Sequence, residues 1–364
     1  MQPRVARATR APPPKVEHVN GDWLICGREG GLRAYAHAPD GDAVVCRTER
    51  TPGGPWAPPR TVGGDQRVHP ETLGLARSAL GYTHLAAWRP TVPGESGLVH
   101  STHFQPHLAA LDWSAIGHPN KKGDRMGPPA VAVDAQGRAH VFVRNKGGGM
   151  SLRVQEEKSG WGPWRDLKGR GVRGRPAVVA GESGLITLYA ASAEGILCWR
   201  QQEPGAAPVL DDKPQPAAVR PDTLCALATS AEHTTLFYVT EDGGLYAWRG
   251  GADPVRLVDA AGDGAPVAVR CRLDDVDCTL LAQRSRGGRV AFAAYPTEVE
   301  SAGAWWTESG APLPPDARLA LTEDGAGRVV AAAYVPGAPA RLLLTRRKDE
   351  PGLALEAWQE AYAG

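Results

Sequence analysis

The sequence predicts an all-β fold: a seven-bladed β-propeller with four antiparallel strands in each blade. Three observations carry that prediction. The composition disfavours long helices, a motif recurs about every 50 residues, and each recurrence holds its strands in the same order.

The composition sets the fold class. The chain has 364 residues, of which 44 are Gly and 32 are Pro, and both residue types break helices. Eleven Trp stand against four Phe and three Met, so the apolar residues suit many short strands joined by tight turns. The formal net charge is +1, which leaves no global field to attract nucleic acid or an anionic membrane, and neither is expected as a partner. The first residues, "MQPRVARATRAPPPKVEHVN", include arginines but no apolar core of a secretory signal. They read as a flexible tail over residues 1–20, ahead of a propeller over 21–364. No apolar run approaches the roughly 20 residues that span a bilayer, and a soluble, cytoplasmic protein is expected. Cys26, Cys46, Cys198, Cys225, Cys271 and Cys278 form no CxxC pair; they read as buried thiols packed as small hydrophobes.

The repeat is clearest in the second run of each unit. "GLRAYAH" starts at Gly31, "GYTHLAAW" at Gly81, "GRAHVFVR" at Gly137 and "GLITLYA" at Gly184. "HTTLFYV" follows from His233, "DCTLLAQ" from Asp277 and "GRVVAAA" from Gly327. Before each comes a run of small apolar residues, such as "PAVAV", "PAVVA", "PVAVR" or "ARLAL". After it comes a Gly- or Asp-bearing hairpin turn and a third strand such as "LCWRQ" or "LYAWR". A fourth segment often carries Trp: Trp56, Trp113, Trp164, Trp306 and Trp358, with "PVL" and "VRL" instead in units four and five. Sheets of this kind shelter their faces against one another around an axis. First strands crowd the axis, which explains their Ala and Val, and the outer Trp residues fill the gaps that widen away from it. Both ends fall at a unit boundary, so no exchanged strand is required to fasten the ring; "KVEHV" from Lys15 is a candidate for one.

The central units, on "PAVAV…GRAHVFVRN…GWGPWRDLKG" and "RPAVVAGESGLITLYA", resemble the bacterial seven-bladed propeller lectins of the PLL type. The resemblance covers units three and four well and the others as a skeleton. It implies the propeller fold and lectin-like binding of fucose, an O-methylated sugar or another small polar ligand. Sugar binding needs an aromatic face for the C–H patch and donors and acceptors for the hydroxyls. On the third strands, Trp199 with Arg200, and Tyr246 with Trp248 and Arg249, offer such pairs between blades. The third-strand His of that family is matched only by His100; Cys198 and Ala247 take its place in other units.

The alternative is an enzyme of bacterial specialised metabolism with one acid–base pocket at the central funnel. Repetition breaks in unit two, where six of the ten His fall between His69 and His118 and insertions "RPTVPGES" and "HFQPHLAALDW" lengthen the blade. His84, His100 or His140 would serve as acid or base. Arg77, Arg144 or Arg270 would hold an anionic substrate, with Asp134 at the end of an inner strand. No metal is expected, because His100 and His103 are three apart on a strand and point to opposite faces. No cofactor is expected either, and no phosphate-binding G-x-x-x-x-G-K-[ST] appears; without a G-x-S-x-G elbow a hydrolase triad has no anchor. "DAQGRA" and "EDGAGR" read as Asp/Gly hairpin turns.

Overall fold

The computed structural model describes residues 23–361, apart from 39–42, 65, 70–72, 93–94, 121–122, 124–125, 158–159 and 338. The proposed tail and the "KVEHV" segment lie outside the described residues. Seven four-stranded antiparallel sheets, each of consecutive strands, stand around an axis as the blades of a propeller. Blade 1 comprises Leu24–Cys26, Leu32–His37, Val44–Thr48 and Arg60–Val62. Blade 2 comprises Gly74–Arg77, Thr83–Pro90, Ser96–His103 and Ser114–Gly117. Blade 3 comprises Ala130–Val133, Ala139–Arg144, Met150–Val154 and Arg165–Asp166. Blades 4 to 7 span 173–210, 225–259, 267–309 and 318–360. All seven second strands fall on the motifs that mark the repeat. The described residues contain one short 3₁₀ turn, Glu300–Ala302, and no helix long and apolar enough to cross a membrane.

The core consists of the seams between blades. One apolar cluster fills each of the seven seams, because alternate residues of every strand turn to opposite neighbours. Each seam also holds a Trp that leans on the preceding blade. Trp56, Trp113, Trp164, Trp306 and Trp358 do this from fourth segments, as the sequence predicts. Blades 4 and 5 lack that residue, and their third-strand Trp199 and Trp248 occupy the equivalent seams. For Trp113, Trp164, Trp199 and Trp358 a glycine past the preceding outer strand lies against the indole. At Gly169, φ is +81° and an added Cβ would lie 2.7 Å from the Trp199 ring.

The ring closes by side-chain and turn contacts in the seam between blades 7 and 1. Trp23 Nε1 donates to the Leu319 carbonyl at 3.0 Å, and the Tyr334 hydroxyl donates to the His37 carbonyl at 2.8 Å. The Gly325 amide donates to the Gly30 carbonyl at 3.2 Å, and Arg346 pairs with Glu49. Among the described residues no strand is exchanged between the first and last sheets.

The two Asp/Gly turns behave as expected. The Asp134 carboxylate caps the amides of Gln136 and Arg138, and Asp324 caps Ala326 and Arg328 in the same way. Cys46, Cys198, Cys271 and Cys278 are buried, while Cys26 and Cys225 are half-buried; all six are free thiols.

Candidate functional site

In the seam between blades 1 and 2 a polar row interrupts the apolar core. The strand Leu32–His37 turns Leu32 and Ala34 towards blade 7 and Tyr35 towards blade 2; by alternation Arg33 and His37 share the Tyr35 face. Register places Thr48 opposite Arg33, Cys46 opposite Tyr35, and Arg60 opposite Cys46. Blade 2 contributes Thr83 and His103, paired across their own strands.

The hydrogen bonds fix the protons. His103 Nε2 lies 3.0 Å from the Leu108 carbonyl, which only accepts, so Nε2 carries the proton. His103 Nδ1 therefore accepts from the Tyr35 hydroxyl at 2.8 Å. Burial, reinforced by Arg33, lowers the His103 pKa, and burial raises that of Tyr35. Both groups stay neutral at neutral pH. Arg33 is only 1% exposed. Its Nη2 donates to Glu29 at 3.0 and 3.2 Å, while Nε and Nη1 have no protein partner.

A groove of about 590 Å³ opens beside this row, lined by Glu29, Thr48, Glu49, Arg60 and His103 and walled by residues 106–110. That wall belongs to the insertion that lengthens unit two. Arg60 Nη1 donates to the His107 carbonyl at 2.7 Å and ties the wall to blade 1. Glu49 is engaged by the framework, accepting from the Leu32 and Gly53 amides at 2.9 and 3.2 Å. Glu29, Thr48 and Arg60 therefore supply polar groups, and Pro52, Pro58, Pro106 and Leu108 supply apolar surface. The arrangement suits a small ligand rich in hydroxyls.

The histidines proposed as acid or base divide between two seams. His84 Nδ1 and His100 Nε2 are 3.1 Å apart in the seam with blade 3, where the Trp161 ring lies edge-on to His100. Burial pulls their pKa values down to about 4 and about 3. His140 shares a strand face with Phe142 and lies in the next seam, towards blade 4, with Nε2 3.0 Å from the Asp134 carboxylate. Arg144 donates to the Val172 carbonyl at 3.3 Å, and Arg77 donates to the Cys26 carbonyl of blade 1. Arg270 pairs with Asp277 at 2.6 Å and Glu182 at 2.8 Å. The structure thus joins His84 to His100 but does not bring His140, Arg77 or Arg144 to them. His100 and His103 do face opposite ways, one to each neighbouring blade.

The third-strand residues proposed for sugar contact are used mainly in packing. Trp199 is 0% exposed and donates to the Leu167 carbonyl at 2.8 Å. Trp248 is 5% exposed and meets Tyr189 edge-on at 5.9 Å. Tyr246 stacks on Tyr238 at 5.6 Å. Arg200 pairs with Asp211 at 3.2 Å, and Arg249 with Glu300 at 2.9 Å. Both indoles replace the missing outer Trp of their blades, which leaves them no open ring face.

The sequence reading did not single out Glu29, Arg33, Tyr35 or Arg60. A signal was present in "LRAYAH": the equivalent positions of unit four hold Thr187, Tyr189 and Ala191, so Arg33 and His37 are the residues that depart from the repeat on that face.

No protein-family model matches this chain, and no curated protein matches it. Among solved structures, it is similar to a triple-arginine mutant of AofleA from Arthrobotrys oligospora. The TM-score is 0.53 at 11% identity, covering 79% of this chain and 85% of that one. A mutant Aleuria aurantia lectin in complex with Fucalpha1-6GlcNAc gives a TM-score of 0.49 at 14% identity, covering 80% of this chain and 96% of that one. SapL1 lectin in complex with alpha methyl fucoside gives 0.47 at 12% identity over the same shares of the two chains. At 11% identity the likeness to the AofleA mutant is one of fold.

Proposed function

We propose that this protein is a lectin-like binding module that takes a carbohydrate, or another small hydroxyl-rich ligand, in the groove between blades 1 and 2. The observation that carries this reading is the convergence of Glu29, Thr48 and Arg60 on one cavity with an apolar wall at residues 106–110. A carboxylate accepts from hydroxyls and a guanidinium donates to them, while Pro and Leu surface meets the C–H patch of a ring. The reading agrees with the resemblance of units three and four to propeller lectins, but places the site in a different seam.

A glycan array with the wild-type protein, repeated with Glu29→Ala and Arg60→Ala, tests the reading. Each change is expected to weaken binding by about tenfold, the loss of a charge-assisted hydrogen bond, while Lys168→Ala on blade 3 leaves it intact. Unchanged binding in both groove variants, with loss in Arg200→Ala or Tyr246→Ala, would move the site to the seams around blades 4 and 5.

A further inference from the structure

The central channel, separate from the groove, widens at the end where the inner strands begin into a cavity of about 650 Å³. Two buried polar groups in its wall lack hydrogen-bond partners. His37 is 9% exposed with both ring nitrogens unpartnered, and Ser285 is 4% exposed with its Oγ unpartnered. Arg286 and Arg318 also line the cavity. Among the described residues neither guanidinium has an ion-pair partner. These four residues come from blades 6, 7 and 1, which are consecutive around the ring.

The other charged groups of the wall are engaged. Asp222 accepts from the Arg175 amide at 2.6 Å, and Asp263 pairs with Arg220 at 2.8 Å. The Arg284 guanidinium donates to the Leu313 carbonyl at 3.0 and 2.7 Å. What is left over is therefore cationic, with hydroxyl and imidazole groups beside it. Burial and Arg318, with Arg175 adding to them, outweigh an opposing contact with the Ala43 backbone and keep His37 neutral. No hydrogen bond of ordinary geometry reaches either ring nitrogen, so the imidazole has one donor and one acceptor to offer. At the other end of the inner strands, the Arg270–Glu182 pair ties blade 6 to blade 4 past blade 5.

We propose that this mouth is a second binding site, which receives the oxyanion of a small organic molecule. Arg286 and Arg318 neutralise a carboxylate or phosphate, and Ser285 and His37 donate to its oxygens. Guanidinium groups match both oxyanions in shape and charge, and a cavity of this size holds a small metabolite or a monosaccharide derivative. The inference rests on the channel wall alone and is independent of the groove.

Calorimetric titration with glucuronate, glucose 6-phosphate and glucose, with inorganic phosphate as a further arm, tests it. At least one of the two charged sugars is expected to bind where glucose does not, and added salt should weaken that binding. Glucuronate alone would mark a carboxylate site, and glucose 6-phosphate with phosphate would mark a phosphate site. Arg286→Ala and Arg318→Ala should each reduce affinity by about tenfold, Arg318→Lys by less, and Lys168→Ala not at all. Both arginines are exposed, so unchanged melting of the variants separates lost binding from lost fold. Absence of binding by every anion, or equal binding by the Arg286→Ala/Arg318→Ala double variant, would overturn the proposal.

Discussion

The Tyr35 hydroxyl donates to His103 Nδ1 at 2.8 Å across the seam between the first two blades. It is a buried hydrogen bond between side chains 68 positions apart, and it orients the ring whose Nε2 holds the groove wall at Leu108. Tyr35→Phe keeps the ring but leaves the Nδ1 lone pair unpaired in a dry seam. The expected cost is about 1–3 kcal/mol, read as a lower urea midpoint with an unchanged m-value.

Trp199 and Trp248 are expected to behave as core residues. Trp199→Ala should cost about 3–5 kcal/mol, the range for emptying a buried aromatic site. Gly169→Ala should also destabilise, by at least about 1 kcal/mol, because the residue has positive φ and abuts the same indole. Thermal melting of both variants checks this. A ligand-binding role for Trp199 would instead show as lost binding with unchanged melting.

The paired His84 and His100 predict a sensitivity to acid. In the unfolded chain each titrates near its ordinary value of 6.5, whereas burial lowers the folded values to about 4 and about 3. Between these limits the unfolded state binds more protons, so stability is full above pH 6.5 and falls as the pH drops towards 4. The slope is at most about 1.4 kcal/mol per pH unit for each ring. Urea unfolding across this range should show the fall, and His84→Gln/His100→Gln should flatten it.

Asp134 predicts a second, lower window. Burial raises its pKa, but hydrogen bonds from His140 and Arg138 outweigh that and hold it at about 2. Its contribution is complete above the ordinary value of 3.8 and is lost as the pH falls towards 2. Asp134→Asn removes the charge that holds Arg138 and His140. It should destabilise the protein at neutral pH and abolish that part of the acid dependence.

The ring was legible in the sequence because each blade repeats one local grammar. An Ala/Val inner strand, a turn glycine and an outer Trp recur from Leu24 to Glu360, and each has a steric reason. The seam tryptophans were legible where they occupy the repeat position, as with Trp113. They were not legible in blades 4 and 5, where Trp199 and Trp248 sit one strand inward and present the same residue types as a sugar platform. The unusual character of blade 2 was visible in its histidines and insertions. The partner of its insertion was not, because Arg60 lies 47 positions away from His107 in blade 1 and meets the insertion only when the two blades pack together. His84 and His140 occupy equal offsets from their turn glycines in consecutive blades, so the repeat itself sends them to successive seams and keeps them from sharing one pocket.

Binding stoichiometry is the most direct test of the central claim, that the ligand site lies in one seam of this ring, between blades 1 and 2. Calorimetric titration with a neutral glycan identified on the array should give one site per chain, abolished by the Glu29→Ala/Arg60→Ala double variant. Several equivalent sites per chain, surviving in that variant, would contradict it.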